Sequence, residues 1–367
     1  MSHFYIHIPF CRHACHYCDF HFSTQLRHTD DLCQAICQEI TLRNPYKTPA
    51  ETLYFGGGTP SLLEAPTLTK MMHTLHRRID LGHVKEQSIE ANPEDITPDK
   101  LSLWLDLGFN RISLGVQSFC NNTLKTLGRL SNQTQIHKAL TLIKQTPLKH
   151  LSIDLMYGIP TQSTQTFKTS LNQALGYTPN HLSLYNLSIE PNTILAYKTK
   201  HRTYPRVCAK QSAKEMLWAS KYLENQGFVH YEISNYAYGD AVSLHNSAYW
   251  RRVPYDGFGP SAHSFDGTTR RWNIASNPLY TKALKANKPI HQQETLSATQ
   301  VQQERWLLGL RTNKGVPWQP LDSMMPSKVR ALLPKLQAKG LVQHNQGHIR
   351  LTKQGWLVAD EITQLFF

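Results

Sequence analysis

Cys11, Cys15 and Cys18 stand in the string HIPFCRHACHYCDF, at the end of the first apolar run of the chain. Cysteine thiolates hold iron–sulfur clusters, and the C-x3-C-x2-C spacing supplies three of them. Four cysteines would close the coordination of a cuboidal [4Fe-4S] cluster, whereas three leave one iron open to a cofactor or substrate. A structural zinc site needs a fourth Cys or His at finger-like spacing, and no second C-x2-C follows. His13, His16 and His21 read as solvated loop residues in a chain with 19 histidines. A second group able to do chemistry lies far downstream, in HNSAYW at residues 245–250. His245 offers an imidazole that can ligate heme iron, and Tyr249 and Trp250 offer flat apolar surface for a porphyrin. Read by themselves, these residues suit ordinary packing as well as heme. Cys120 and Cys208 read as buried thiols.

Short β-type runs alternate with longer segments of helical period, and these must carry the cysteines. Strands are expected at 4–8, 52–55, 87–91, 111–116, 151–156 and 181–187. Helices are expected at 30–43, 65–79, 98–107, 133–144, 164–175 and 207–226. Such alternation predicts an α/β fold with a parallel sheet and helices outside it. Six repeats are too few to close an eightfold barrel, so the expectation is a partial, open (β/α)6 barrel over residues 1–230. Barrels of this kind keep their chemistry at the C-terminal ends of the strands. The cysteines, GGGTPS, Glu90, Gln117 and the segment after Asp154 all fall there. Residues 231–298 show no sustained period and read as an irregular connecting region that carries HNSAYW. Residues 299–367 read as a smaller, winged-helix-like domain. It has helices at 300–310 and 327–339, a hairpin turning at 345–347 and a last helix at 353–365.

The chain has 367 residues, 40% of them hydrophobic, room for one large domain and a smaller one. Mean hydropathy is −0.43. No apolar run approaches the roughly 20 residues that span a bilayer, and no secretory signal opens the chain. Seven cysteines, an odd number with three clustered, predict reduced thiols in a cytoplasmic setting. The net charge of +13 is dispersed, with no run of five basic residues, so nucleic acid is not an expected partner. Anionic lipid surfaces and carboxylate ligands match the charge equally well.

Residues 5–20, GGGTPS at 56–61, IEANP at 89–93, GVQSF at 115–119 and DLMYGIP at 154–160 resemble the radical S-adenosylmethionine (SAM) superfamily, in its oxygen-independent coproporphyrinogen oxidase group. YEISNYA at 231–237, HNSAYW and GFGPSAHSF at 257–265 are similar to the HemW-type heme chaperones within it. The resemblance implies a [4Fe-4S] cluster on Cys11, Cys15 and Cys18, with SAM on the open iron. Gly57, Gly58 and Thr59 would hold its methionine end, Glu90 its amino group and Arg129 its carboxylate. Gln117 and Asp154 would bind ribose or adenine, with Tyr5 and Tyr17 lining the pocket. His245, Asn246, Tyr249 and Trp250 would bind heme. The implied partners are heme, heme-accepting apo-proteins with membrane-associated respiratory proteins among the candidates, and an electron donor. The implied location is cytoplasmic, peripheral at most at the inner face of the membrane. The runner-up is an oxygen-independent coproporphyrinogen III oxidase, which decarboxylates propionates to vinyls. That pattern has a further Cys where Phe20 stands, a long arm before the cluster where only ten residues precede Cys11, and no HNSAYW.

Overall fold

The computed structural model describes residues 2–43, 48–318 and 327–366. Six parallel strands, β1 (Ser2–Ile8), β2 (Thr48–Gly57), β3 (Glu86–Ala91), β4 (Arg111–Gln117), β5 (His150–Tyr157) and β6 (His181–Asn186), lie side by side in chain order. Helices α1 (Thr29–Arg43), α2 (Ala65–Arg78), α3 (Pro98–Asp106), α4 (Asn121–Leu127), α5 (Gln133–Lys144), α6 (Thr164–Leu175), α7 (Ile194–Lys200) and α8 (Ala209–Asn225) connect or follow them. The six strands and their main helices are those expected; the short α4 and α7 are additions. Strand alternation sorts the side chains. Phe4, Ile6 and Ile8 of β1 are buried in one apolar cluster with Leu32, Ile36 and Ile40 of α1. On the opposite face, His3, Tyr5 and His7 point into a polar barrel interior, where His3 Nδ1 bonds Thr52 Oγ1 (2.8 Å).

The segment expected to be irregular, 231–298, is instead mostly regular. It completes β7 (Phe228–Glu232) and supplies β8 (Asn235–Tyr238), helix α9 (Leu244–Trp250), β9 (Tyr255–Phe258), β10 (His263–Phe265), β11 (Thr269–Asn273), α10 (Asn277–Lys285) and β12 (His291–Thr295). These strands extend the sheet at both ends, in the order β12-β11-β10-β9-β1-β2-β3-β4-β5-β6-β8-β7. Only β9 joins in parallel, beside β1, and the other additions are antiparallel. The barrel is therefore open and its sheet mixed. Three- to five-residue strands are too short to show a period, and β12 is exposed along its whole length, so nothing in its composition marks a strand.

Beyond it come α11 (Ala298–Gly309), α12 (Ser327–Ala338), the hairpin β13 (Val342–Asn345) and β14 (His348–Leu351), then α13 (Lys353–Trp356) and α14 (Ala359–Leu365). Gln346 and Gly347 both have positive φ, as a two-residue hairpin turn demands. The single last helix expected from the pattern is broken in two at Leu357 and Val358.

Candidate iron–sulfur and cofactor site

The loop after β1 is tied down by its own chain. Cys11 N–H donates to Ser23 O (3.1 Å) and Ser23 N–H to Pro9 O (2.8 Å), which closes the loop into a compact turn. His16 N–H donates to Leu127 O (2.9 Å), and His16 Nδ1 bonds Thr126 O (2.8 Å) at the C-terminal end of α4. Arg12 forks onto buried Asp95 at 3.0 and 3.3 Å, and Ser61 Oγ donates to the other Asp95 oxygen (2.8 Å). His21 Nε2 bonds Asn277 Oδ1 (2.8 Å). His16 and His21 are thus fastenings rather than the solvated histidines expected.

All three cysteines are free thiols and line one cavity of about 450 Å³ at the C-terminal ends of the strands. Burial pushes the Cys11 thiol up to about 11, although Thr59 Oγ1 donates to its sulfur (3.4 Å). Burial also raises Cys18. Among the described residues no three His, Cys, Asp or Glu side chains converge on a single metal ion. Three thiols spread along one cavity wall suit a cluster whose irons are bound separately.

Tyr17, Gly57, Gly58, Thr59, Glu90, Gln117, Arg129 and Asp154 line the same cavity. Tyr5 does not reach its wall: it lies deeper in the barrel, bonded to His7 (3.1 Å) and stacked near Tyr54. Glu90 accepts from Tyr54 Oη (2.7 Å) and Gly57 N–H (3.1 Å), and burial, with neighbouring Asp154 adding to it, raises the carboxyl to about 7. Burial likewise raises Asp154, against bonds from Ser183, Ser113 and Ser152. Gln117 sits at φ 67°, a strained conformation of the kind that collects at functional sites. Arg129 donates to Asn92 Oδ1 (2.6 Å), Gly115 O (2.7 Å) and Cys15 Sγ (3.6 Å). Its buried Nε has no partner among the described residues, which leaves one charged donor for an anionic group. The donor set therefore fits both a cluster and a zwitterionic ligand.

Gly57 and Gly58 line the cavity, where ligand approach is expected, and they also pack closely against the chain. A Cβ on Gly57, which has φ 107°, would meet the His7 ring at 2.5 Å, and one on Gly58 would meet the Phe10 backbone at 2.7 Å. Both amides are also occupied, Gly57 by Glu90 and Gly58 by Ile8 O (2.9 Å). GGG lets the cluster loop pack against β2. Sequence reasoning missed Asn92, which joins Arg129 to Thr59, and Ser113 and Tyr185, which also line the cavity. Ser113 and Tyr185 share the inward parity of Glu90 and Asp154 on their strands, a signal that was available. Cys208 is exposed and Cys120 half-buried, not the buried thiols expected.

HNSAYW forms α9, which lies across the N-terminal ends of the strands and closes the barrel floor. Glu86, at the start of β3, accepts from the backbone N–H groups of Leu244 (2.9 Å) and His245 (3.0 Å). Arg111, at the start of β4, stands 3.6 Å from the same carboxylate. His245 is 1% exposed, with Nδ1 bonded to Thr52 Oγ1 (2.7 Å) and Nε2 to Tyr249 Oη (2.8 Å). Burial lowers its pKa to about 3, so it is a neutral imidazole with both nitrogens engaged. Asn246, Tyr249 and Trp250 are half-buried. The structure does not bring this group to the cysteine cavity; the two lie at opposite ends of the barrel.

Residues 5–174 match the Radical SAM superfamily, and residues 296–358 match the HemN C-terminal domain. The chain is 33% identical to the heme chaperone HemW of Bacillus subtilis (strain 168), covering 99% of this chain and 98% of that protein. Against the heme chaperone HemW of Escherichia coli (strain K12) the identity is 30%, covering 99% and 97%. In fold it matches the coproporphyrinogen III oxidase (HemN) of Escherichia coli with a TM-score of 0.86 at 24% identity, covering 100% of this chain and 89% of that one. Similarity of this extent to curated relatives, running from one end of the sequence to the other, shows that the chain belongs to the HemW heme chaperone family of the radical SAM superfamily.

Proposed function

We propose that this protein is a heme chaperone: it takes up heme and passes it to apo-proteins, carrying a [4Fe-4S] cluster on Cys11, Cys15 and Cys18 and SAM beside it. The observation that carries the cofactor assignment is the convergence of three free thiols and the residues Glu90, Gln117, Arg129 and Asp154 on one cavity. When bound, the cluster supplies an electron and an open iron site to SAM; the protein supplies position and shielding. Glu90 faces the amino group and the free Arg129 Nε takes the carboxylate. Gln117 and Asp154 hold the ribose or adenine polar groups, and Tyr17 walls the site. Thr59 orients Cys11 and, through Asn92, Arg129.

Family membership supports heme as the cargo, with His245 as its ligand and Asn246, Tyr249 and Trp250 around it. Recipients are apo-proteins, membrane-associated respiratory proteins among them, and the cluster draws its electron from a separate donor. Among the described residues no helix is long and apolar enough to cross a membrane.

The deciding experiment incubates reconstituted protein separately with heme and with coproporphyrinogen III. Heme should bind at about one per chain, and His245→Ala should shift or abolish the Soret band. No decarboxylated product should form even with SAM and reductant present. Changing Cys11, Cys15 or Cys18 to Ala should abolish bound iron, while Cys33, Cys37, Cys120 and Cys208 should be dispensable. Clean turnover of coproporphyrinogen would overturn the reading.

A further inference from the structure

In the closed floor His245 cannot meet a ligand, and three contacts from the C-terminal part hold that floor shut. Glu304 on α11 accepts from Arg252 Nε (2.9 Å), two residues past the end of α9, and also from Arg270. The Arg311 guanidinium lies 5.7 Å from the Trp250 ring centroid. Ile233 N–H donates to Arg311 O (3.0 Å) and Asn313 N–H to Tyr231 O (2.9 Å), so the backbone after α11 is anchored to the β7–β8 turn and only the Arg311 side chain reaches α9. This anchor can stay in place while α11 and α9 part.

Two buried donors mark the closed arrangement as held by α11. Trp250 Nε1 and Arg252 Nη2 have no partner among the described residues, which is unfavourable for any donor. Arg252, at φ 55°, is the left-handed cap of α9 itself, closed by Arg252 N–H to Tyr249 O (3.0 Å) and Val253 N–H to Ala248 O (3.0 Å), so the helix can move with its cap intact. Opening would hydrate the two donors, at the loss of the Glu304 contacts.

We propose that α11 is a latch on α9. Release of Glu304 lets the HNSAYW helix leave the floor, parting His245 from Thr52 and Glu86 while its bond to Tyr249, internal to the helix, travels with it, and presents Trp250 as a face for the planar ring of heme. The proposal rests on the heme-chaperone reading and names how its heme site opens.

The test uses the full chain with its cluster reconstituted. Hydrogen–deuterium exchange reports opening of residues 244–250, and stopped-flow Soret absorbance reports hemin uptake. E304Q weakens both arginine contacts. R311M removes the Trp250 contact with Glu304 left in place, together with the Arg311–Asp360 ion pair (3.0 Å), for which D360N is the control, and this pair of variants serves if E304Q fails to fold. E304Q and R311M should each raise exchange in 244–250 and speed hemin uptake, both by about tenfold, the effect of losing one charge-assisted contact. Bound iron and SAM affinity should stay unchanged. Faster exchange without faster uptake, or no change in exchange, overturns the latch. His245→Ala separates the two failures. If it takes up hemin as the wild type does, the heme assignment is wrong whatever the latch variants do. If it loses hemin while the latch variants are silent, only the latch is wrong.

Discussion

Glu90 holds a buried carboxyl near the middle of its titration, because burial disfavours its charge while Tyr54 and Gly57 N–H favour it. Such a group gains most from a ligand that brings N–H donors. Glu90→Gln should therefore weaken SAM binding by about 1.5–3 kcal/mol, roughly 10- to 100-fold, with bound iron unchanged; equilibrium dialysis with labelled SAM reads it. Unchanged affinity would place the amino group elsewhere. Glu90 was legible because it sits at the end of a strand with a resembling motif around it, and the cysteines because they follow one. The work of Gly57 and Gly58 was not. A glycine's missing Cβ can make room for a ligand or for the chain itself, and only the positions of His7 and Phe10 show that these two make room for the chain as well as lining the cavity. The double bonding of His245 was equally hidden, since Thr52 is 193 residues away in sequence.

At the scale of elements, α9 has a pH signature. His245 is held near 3 in the folded chain against an ordinary 6.5, so the unfolded chain binds more protons below pH 6.5. Stability must then fall as pH drops from about 6.5 toward 3. His7 and His230, both lowered to about 4 by burial, act in the same sense. Glu90 and Glu232, raised to about 7, act oppositely and lose stability as pH rises from about 4.5 through 7. Comparing wild type with His245→Gln isolates the one group: their difference in melting temperature should be larger at pH 7.5 than at pH 5. A constant difference would show that His245 is not held neutral. The six parallel strands were legible because four or more residues of unbroken β-type sequence lie between clear helical periods. The strands of 228–295 were not, because their partners are supplied by the far ends of the sheet rather than by local alternation.

Across the whole molecule, one contiguous apolar cluster runs from Phe4 and Ile36 through Trp104 to Trp306, Trp356 and Phe366. Trp356 donates its Nε1–H to Leu310 O (3.1 Å) and packs edge-on against His230 at 4.5 Å. The C-terminal elements should thus melt with the barrel in a single transition. Trp356→Ala, which costs about 3–5 kcal/mol as a large-to-small core change, should lower near- and far-ultraviolet circular dichroism midpoints together. Two separated midpoints would refute the shared core. That shared packing was invisible in the sequence, where a change of texture near residue 230 and a smaller C-terminal domain were legible but not the core that joins them. The fastening of the cysteine loop carries a last consequence. Its anchors, Ser23, Pro9, Leu127, Thr126 and Asp95, are all protein groups outside the cysteines themselves. A zinc finger starved of its metal unravels. Here the loop instead shares the stability of the barrel that fastens it, and its three cysteines are placed by the same strands and helices that build the core.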